Sequence, residues 1–259
     1  MNPEWRNRYE FAVEIAGEAG RHALGYFEAN LAVEWKQDRT PVTIADRETE
    51  THVRTRLLER FPHDGLLGEE FGDAPGSSGF RWIIDPIDGT RSYVRGIPIW
   101  ATLIALEYKG ECIAGIAEAP AMRQTYRALK GDGAFRDDRR IRVSDVATLG
   151  ESQIFYSSLS WFIKAGRRDS FLTLASRTNR QRGFGDYYGF MLVAQGSGEL
   201  MVEYGIHVWD VAGLKVIVEE AGGRYSDWDG KPDVYRPDVL VSNGKLHDEA
   251  LRILNAGSA

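Results

Sequence analysis

Trp82-Ile83-Ile84-Asp85-Pro86-Ile87-Asp88-Gly89-Thr90 runs an apolar strand into two carboxylates three positions apart, then a glycine and a hydroxyl. Pro86 fixes its own φ and keeps Asp85 out of helical conformation, so the turn is stiff from its first step. Gly89 opens a backbone path closed to other residues and leaves its N–H approachable. Two hard carboxylates and a peptide carbonyl at a strand end suit Mg²⁺, which prefers oxygen ligands. A helix beginning after Thr90 would add free N–H groups, an anion site beside the ions. Alone, an Asp-x-x-Asp-Gly turn also describes a solvated surface loop. The apolar strand before it and the hydroxyl after it set this one apart.

Two other places have the same context. Leu66-Leu67-Gly68-Glu69-Glu70 ends a strand in a carboxylate, and Val208-Trp209-Asp210 starts a helix with one. Glu69 alone would be a solvated charge, and an Asp at a helix start is commonly just a cap. Glu69, Asp85, Asp88 and Asp210 together make a stronger case than any one of them.

Working outward, Phe11, Ile15, Ala19, Ala23 and Phe27 recur at steps of four, the stripe of a long amphipathic helix. A second helix is expected from Ile44 to Arg60, punctuated by Pro62. The middle of the chain reads as strands: Leu66–Leu67, Trp82–Ile84, a hairpin over Ile97 to Glu118, and a pair over Tyr126 to Val143. Asp73 to Gly79 has Pro, Gly and Ser but no apolar anchor, and is expected to be a loop that is mobile until metal binds. After about residue 145 the pattern alternates. Ile154–Ser157, Leu200–Val202 and Val239–Val241 read as strands; Arg168–Ser176, Asp186–Ala194, Val208–Glu220 and Lys245–Leu254 read as helices. Such alternation implies helices layered over sheets. Two sheet-containing lobes are expected, 1–145 with most of the metal ligands and 146–259 completing the site, in one catalytic unit.

The 259 residues, 43% of them hydrophobic, are enough for a substantial core. A net charge of −6 lacks the footprint of a nucleic-acid binder. No apolar run reaches about 18 residues, so no membrane helix is expected. Met1 to Glu10 has no apolar signal segment, and the single Cys112 excludes an internal disulfide framework; both point to the cytoplasm. An acidic chain can still bind an anionic substrate where bound cations reverse the local sign.

The segments Gly68-Glu69-Glu70, Asp85 to Thr90, and Trp209-Asp210-Val211-Ala212-Gly213 resemble the three signatures of the inositol monophosphatase family. Lys36-x-Asp38-x-Thr40-Pro41-Val42-Thr43-x-Ala45-Asp46 and Gly131-x-Gly133-Ala134-Phe135 match its other landmarks, in order and spacing, over nearly the whole chain. The resemblance implies an αβαβα layered sandwich of mixed α/β (α+β) class, two or three Mg²⁺ per site, a homodimer, and direct phosphomonoester hydrolysis without a phosphoenzyme. It implies that Glu69, Asp85 and the Ile87 carbonyl hold the metal that activates water, and that Asp85, Asp88 and Asp210 hold a second near the leaving oxygen. Thr90, hydrogen-bonded to Asp46, would help take the water's proton, and the Gly89 and Thr90 amides would receive phosphate. Two cations roughly 3.5–4 Å apart suit the charge that develops at both reacting oxygens. None of the five histidines has ligand spacing, and His207 reads as a structural or rim residue.

The stretch from Thr90-Arg91-Ser92 through Gly96-Ile97-Pro98-Ile99-Trp100-Ala101-Thr102-Leu103-Ile104-Ala105-Leu106 looks like the histidinol-phosphate phosphatase branch, as does Gly185-Asp186-Tyr187-Tyr188-Gly189-Phe190. Ala101, where that branch commonly has Gly, is a departure. The resemblance thus implies histidinol phosphate as substrate, with inositol-1-phosphate or a broad range of monoesters as the alternative. A catalytically silent metal-binding scaffold is the remote one. By the same resemblance Arg91 lies beside the phosphate turn, and Asp186 and Glu203 lie where the alcohol moiety sits, with Arg182 nearby. Two other readings fail. The only Asp-x-Asp, Asp227-Trp228-Asp229, lacks the following residue an aspartyl-nucleophile phosphatase needs, and strand-like residues follow Gly131-x-Gly133 where a dinucleotide site needs a helix.

Overall fold

The computed structural model describes residues 2–29, 32–35 and 41–256; the Lys36, Asp38 and Thr40 landmarks lie outside the described residues. The first half of the chain runs α1 (Pro3–Tyr26), β1 (Glu34–Trp35), β2 (Pro41–Val42), α2 (Ile44–Arg60), β3 (Gly65–Gly68), β4 (Gly72–Ala74), β5 (Phe80–Asp88), α3 (Thr90–Tyr93), β6 (Ala101–Tyr108), β7 (Glu111–Ala119), β8 (Gln124–Leu129), β9 (Gly133–Arg136) and β10 (Arg139–Arg140). The second half runs β11 (Gln153–Phe155), α4 (Leu159–Lys164), α5 (Arg168–Arg177), β12 (Arg180–Arg182), α6 (Asp186–Ala194), β13 (Leu200–Tyr204), α7 (Val208–Glu220), β14 (Arg224–Ser226), β15 (Asp238–Ser242) and α8 (His247–Asn255).

Eight strands form one sheet in the order β10-β9-β8-β7-β6-β5-β3-β4, antiparallel but for the β3–β5 pair. Five form a second, β12-β11-β13-β15-β14, parallel around β11 and antiparallel beyond. The apolar stripe of α1 and the inner face of α2 bury Tyr9, Ile15, Val53 and Leu57 against Trp82, Ile84, Ile104 and Ile116 of the first sheet. The opposite face of that sheet meets α6 and α7, which are largely apolar because the second sheet covers them too; Phe190, Val211 and Ile217 share one core with Leu103, Met201 and Val241. Phe162, Phe171, Leu174 and Leu254 of α4, α5 and α8 cover the far face of the second sheet. The layers are therefore α-β-α-β-α, as expected. Close approach seals the middle: a Cβ on Gly115 of β7 would sit 2.0 Å from the Gly213 carbonyl of α7. Among the described residues no helix is long and apolar enough to cross a membrane.

The stretch from Asp73 to Gly79 differs from the expected free loop. Its first two residues belong to β4, paired with β3. The remainder has polar anchors in place of apolar ones: the Ser77 and Ser78 amides donate to the His63 carbonyl at 2.8 and 3.0 Å, and Ser78 Oγ donates to Asp64 at 2.7 Å. Asp64 is itself buried, gripped by Arg8 Nε and Nη2 at 2.8 and 3.0 Å and by Trp82 Nε1 at 3.0 Å.

Candidate active site

Strand alternation would send Asp85 and Asp88 to opposite faces of β5. The register against β6 slips between them, Asp85 opposing Leu103 and Asp88 opposing Ala101, so three residues on β5 span two on β6. This bulge re-aims Asp88 to the side of Asp85. Thr102, the β6 residue inside the slip, donates its hydroxyl to the Pro86 carbonyl at 2.8 Å. The Ile87 amide closes on Asp85 Oδ1 at 3.0 Å. Gly89 then turns at φ +87° into α3, where a Cβ would meet the Ile99 carbonyl at 2.9 Å and Asp186 Oδ2 at 3.2 Å. The fingerprint's proline, glycine and hydroxyl serve this one turn.

Asp210 arrives from the middle layer. It is the third residue of α7, and its Oδ2 accepts the His207 amide at 2.7 Å. Asp46 occupies the same position of α2, its Oδ2 taking the Thr43 amide and hydroxyl at 2.7 and 2.8 Å. Each acid thus caps its own helix with one oxygen and keeps the other for the site. One oxygen each from Asp85, Asp88 and Asp210 falls within 4.8 Å of the others. Burial, foremost, and then the charges of Glu69, Asp88 and Asp210 push the Asp85 carboxyl well above its ordinary range. Asp88 is raised likewise by burial and then by Asp186 and Asp210, against the pull of the Tyr187 amide at 2.5 Å. Burial, with the Glu69 and Asp186 charges adding to it, raises Asp210 to about 7. A largely buried, all-oxygen set whose members repel one another fits a hard divalent cation, which would relieve that repulsion.

Thr90 Oγ1 lies 3.0 Å from the Ile87 carbonyl and 3.5 Å from Asp46 Oδ1, so its shorter hydrogen bond runs to the backbone and the Asp46 contact is the long one. Burial raises Asp46 to about 6. From Asp88 and Asp210 a cleft of about 450 Å³ extends between Arg91, Ile97 and Ile99 on one side and Ser157, Trp161, Phe184, Asp186, Glu203 and Tyr204 on the other. Asp186 is pushed up to about 6 by burial, against the lowering effect of Arg91. Glu203, 7% exposed, is raised well above its ordinary range by burial and then by Asp186, and its Oε2 has no hydrogen-bond partner among the described residues. Arg182 is not in the cleft wall: it ends β12, the edge strand, and its guanidinium donates back to the Gln181 carbonyl at 2.7 Å. His207 stacks on Trp209, ring centroids 4.9 Å apart, beside the site.

The sequence reading missed the aromatic wall. Trp161 sits on α4, a six-residue helix too short to show a period; its one signal is Ser158, whose hydroxyl accepts the Ser160 amide as an N-cap. A family model described as the inositol monophosphatase family matches residues 4–258. The chain belongs to that family. Within it, this chain is 41% identical over 263 residues to the histidinol-phosphatase of Streptomyces coelicolor, covering 98% of each chain. It is 42% identical to the histidinol-phosphatase of Mycobacterium tuberculosis, over 88% of this chain and 90% of that one. Among solved structures of the family, the Thermotoga maritima IMPase superposes with a TM-score of 0.88 at 31% identity, over 96% of this chain and 97% of that one.

Proposed function

We propose that this protein is a metal-dependent phosphoric monoester hydrolase acting on histidinol phosphate. The observation that carries the substrate is the second pair of acids, Asp186 and Glu203, set in an aromatic-walled cleft beyond the carboxylates suited to metal. Histidinol phosphate brings an ammonium group and an imidazole. An acidic cleft walled by Trp161, Phe184 and Tyr204 offers both a charge partner and a stacking surface. The relatives named histidinol-phosphatase point the same way.

Glu69, Asp85, Asp88 and Asp210, with the Ile87 carbonyl, would hold the ions. Mg²⁺ is our choice of ion, two or three per site, with a homodimer in the cytoplasm as the setting; the first three extend the family likeness, and the location rests on the sequence reading. When bound, such ions neutralise charge at the attacking and departing oxygens and acidify a water. The chain's own residues do the rest. The first turn of α3 leaves its leading amides unused by the helix, so the Gly89 and Thr90 N–H groups are available to a phosphate oxygen. Thr90 and Asp46 stand as the proton-accepting pair; a carboxylate at about 6 is ionised at neutral pH yet basic enough to share a proton. Arg91 lines the same cleft as Asp186, and its charge favours the ionised form of that carboxyl.

The test is a pair of substrates. Asp186→Ala and Glu203→Ala should each lose about tenfold to hundredfold in kcat/KM on histidinol phosphate, the worth of one charge-assisted hydrogen bond. Activity on p-nitrophenyl phosphate should largely survive. Equal losses on both substrates would shift the assignment to a broad phosphomonoesterase. Faster wild-type turnover of inositol-1-phosphate than of histidinol phosphate would shift it to an inositol phosphatase.

A further inference from the structure

Glu50, in the middle of α2, is a carboxylate with no exposed surface, and nothing above uses it. Its Oε2 accepts the Glu70 amide at 2.7 Å; its Oε1 accepts the Phe71 amide at 3.3 Å and Arg54 Nε at 2.7 Å. Arg54, one helical turn on and itself nearly buried, also donates to the Gly72 carbonyl. The Glu69 amide is fixed separately, on the Ile84 carbonyl of β5 at 3.2 Å. Three consecutive amides of the β3–β4 turn, 69 to 71, are therefore held, one by the sheet and two by a single side chain from the helix. Gly68 completes the arrangement. A Cβ there would lie 2.0 Å from Glu50 Oε1, so no other residue lets the carboxylate reach the turn.

We propose that Glu50, locked by Arg54, is a positioning residue for the metal site, splinting the Gly68–Gly72 turn so that Glu69 is aimed at Asp85 before an ion arrives. The inference rests on Glu69 being a metal ligand. It gives Gly68 and the Glu50–Arg54 pair a task that core stability alone does not require, because a buried ion pair adds little net stability over apolar side chains of the same volume. A ligand carboxylate on a short turn has freedom to lose on binding, and a partner that removes it beforehand appears as metal affinity.

The experiment is calorimetric titration of the full-length, substrate-free protein with Mn²⁺, beside thermal melts with and without Mg²⁺, for wild type, Glu50→Gln, Glu50→Asp and Glu69→Gln. Gln cannot accept both amides and Arg54 together, and Asp falls short of the turn by one methylene. Both Glu50 variants should bind Mn²⁺ about tenfold to hundredfold more weakly, with wild-type circular dichroism and a smaller metal-induced rise in Tm. A role in stability alone predicts a lower metal-free Tm with unchanged Mn²⁺ affinity, and that result overturns the proposal. So does loss of the native circular dichroism in both variants. If Glu69→Gln leaves Mn²⁺ affinity unchanged, the ligand assignment itself fails. If Glu69→Gln weakens binding and the Glu50 variants do not, only the positioning role fails.

Discussion

Asp186 begins α6 at φ +55°, a left-handed conformation that suits glycine better than any side chain. Its carboxyl is buried and raised, so fold and local electrostatics both work against it. Replacing it with glycine should therefore raise the metal-free Tm, by the equivalent of about 1 kcal/mol from the backbone alone, while histidinol phosphate turnover falls. A lower Tm in Asp186→Gly would mean that the side chain serves the helix. Asp85 separates differently. Asp85→Asn relieves repulsion in the cluster, so the protein should fold, with turnover nearly abolished and the Tm rise on adding Mg²⁺ lost. Wild-type activity of this variant at saturating Mg²⁺ would falsify the site. Thr102 is the quieter member. Thr102→Val leaves the Pro86 carbonyl unpaired inside the bulge and should cost about 1–3 kcal/mol in denaturant unfolding, with some loss of turnover as Asp85 and Asp88 drift.

Among the elements, α2, α6 and α7 run from the first to the last residue that their sequence periods and stop signals suggest. Their ends are written in local chemistry: Thr43 and Asp46 reciprocally capping α2, and Gly222 in left-handed conformation just past α7. Three short elements without such local signals were illegible. α4, β12 and β14 exist because the second sheet and its outer helices demand them, and no six-residue window carries that information. The cluster of acids was legible because each sits beside a strong local signal, a strand end or a helix start. Glu50 was not, since a charged residue in mid-helix reads as solvated until the β3–β4 turn is folded against it. At this scale α8 carries a pH test. His247, its first residue, is fully buried between Ser226 on β14 and Ser242 on β15, at 2.8 and 2.9 Å. Ser226 gives its proton to the Asp227 carbonyl, so the ring donates through Nε2, and in the neutral ring Nδ1 accepts from the Ser242 hydroxyl. Burial accordingly lowers His247 to about 4. Its folded pKa lies below its unfolded one, so the unfolded chain takes up the extra proton and stability falls as pH drops from about 6.5 towards 4. Relative to His247→Gln, the wild type should lose about 3 kcal/mol of unfolding free energy between pH 7 and pH 4. Parallel pH curves would refute the assignment of a neutral, buried ring.

For the molecule as a whole the acid cluster has the opposite sign. Asp46, Asp186 and Asp210 are raised to about 6, 6 and 7. Their folded pKa values exceed their unfolded ones, so the stability they contribute is present at low pH and lost as pH rises through about 6 to 7. Without metal the protein should therefore become more stable between pH 8 and pH 6.5, above the range in which His247 acts. Saturating Mg²⁺ should stabilise most at pH 8, where the carboxylates are ionised, and progressively less towards pH 6. Denaturant unfolding in chelator and in Mg²⁺ at these pH values measures both slopes; a metal-induced gain that is constant with pH would argue that the cluster does not bind the ion.

Asp85 and Asp88 lie at the end of β5 in the first sheet, and Asp210 begins a helix whose other flank is covered by the second, more than a hundred residues along the chain. A coordination sphere built from these three carboxylates would therefore not close on a nascent chain, a fragment or a half-docked intermediate. It would close only after both sheets have clamped the middle helices and Gly213 has settled onto Gly115. Metal capture at this cluster would in that sense be a proofreading signal for the finished fold. During refolding, Mn²⁺ binding should trail the recovery of secondary structure and coincide with the burial of α7, so that a bound ion would report correct assembly.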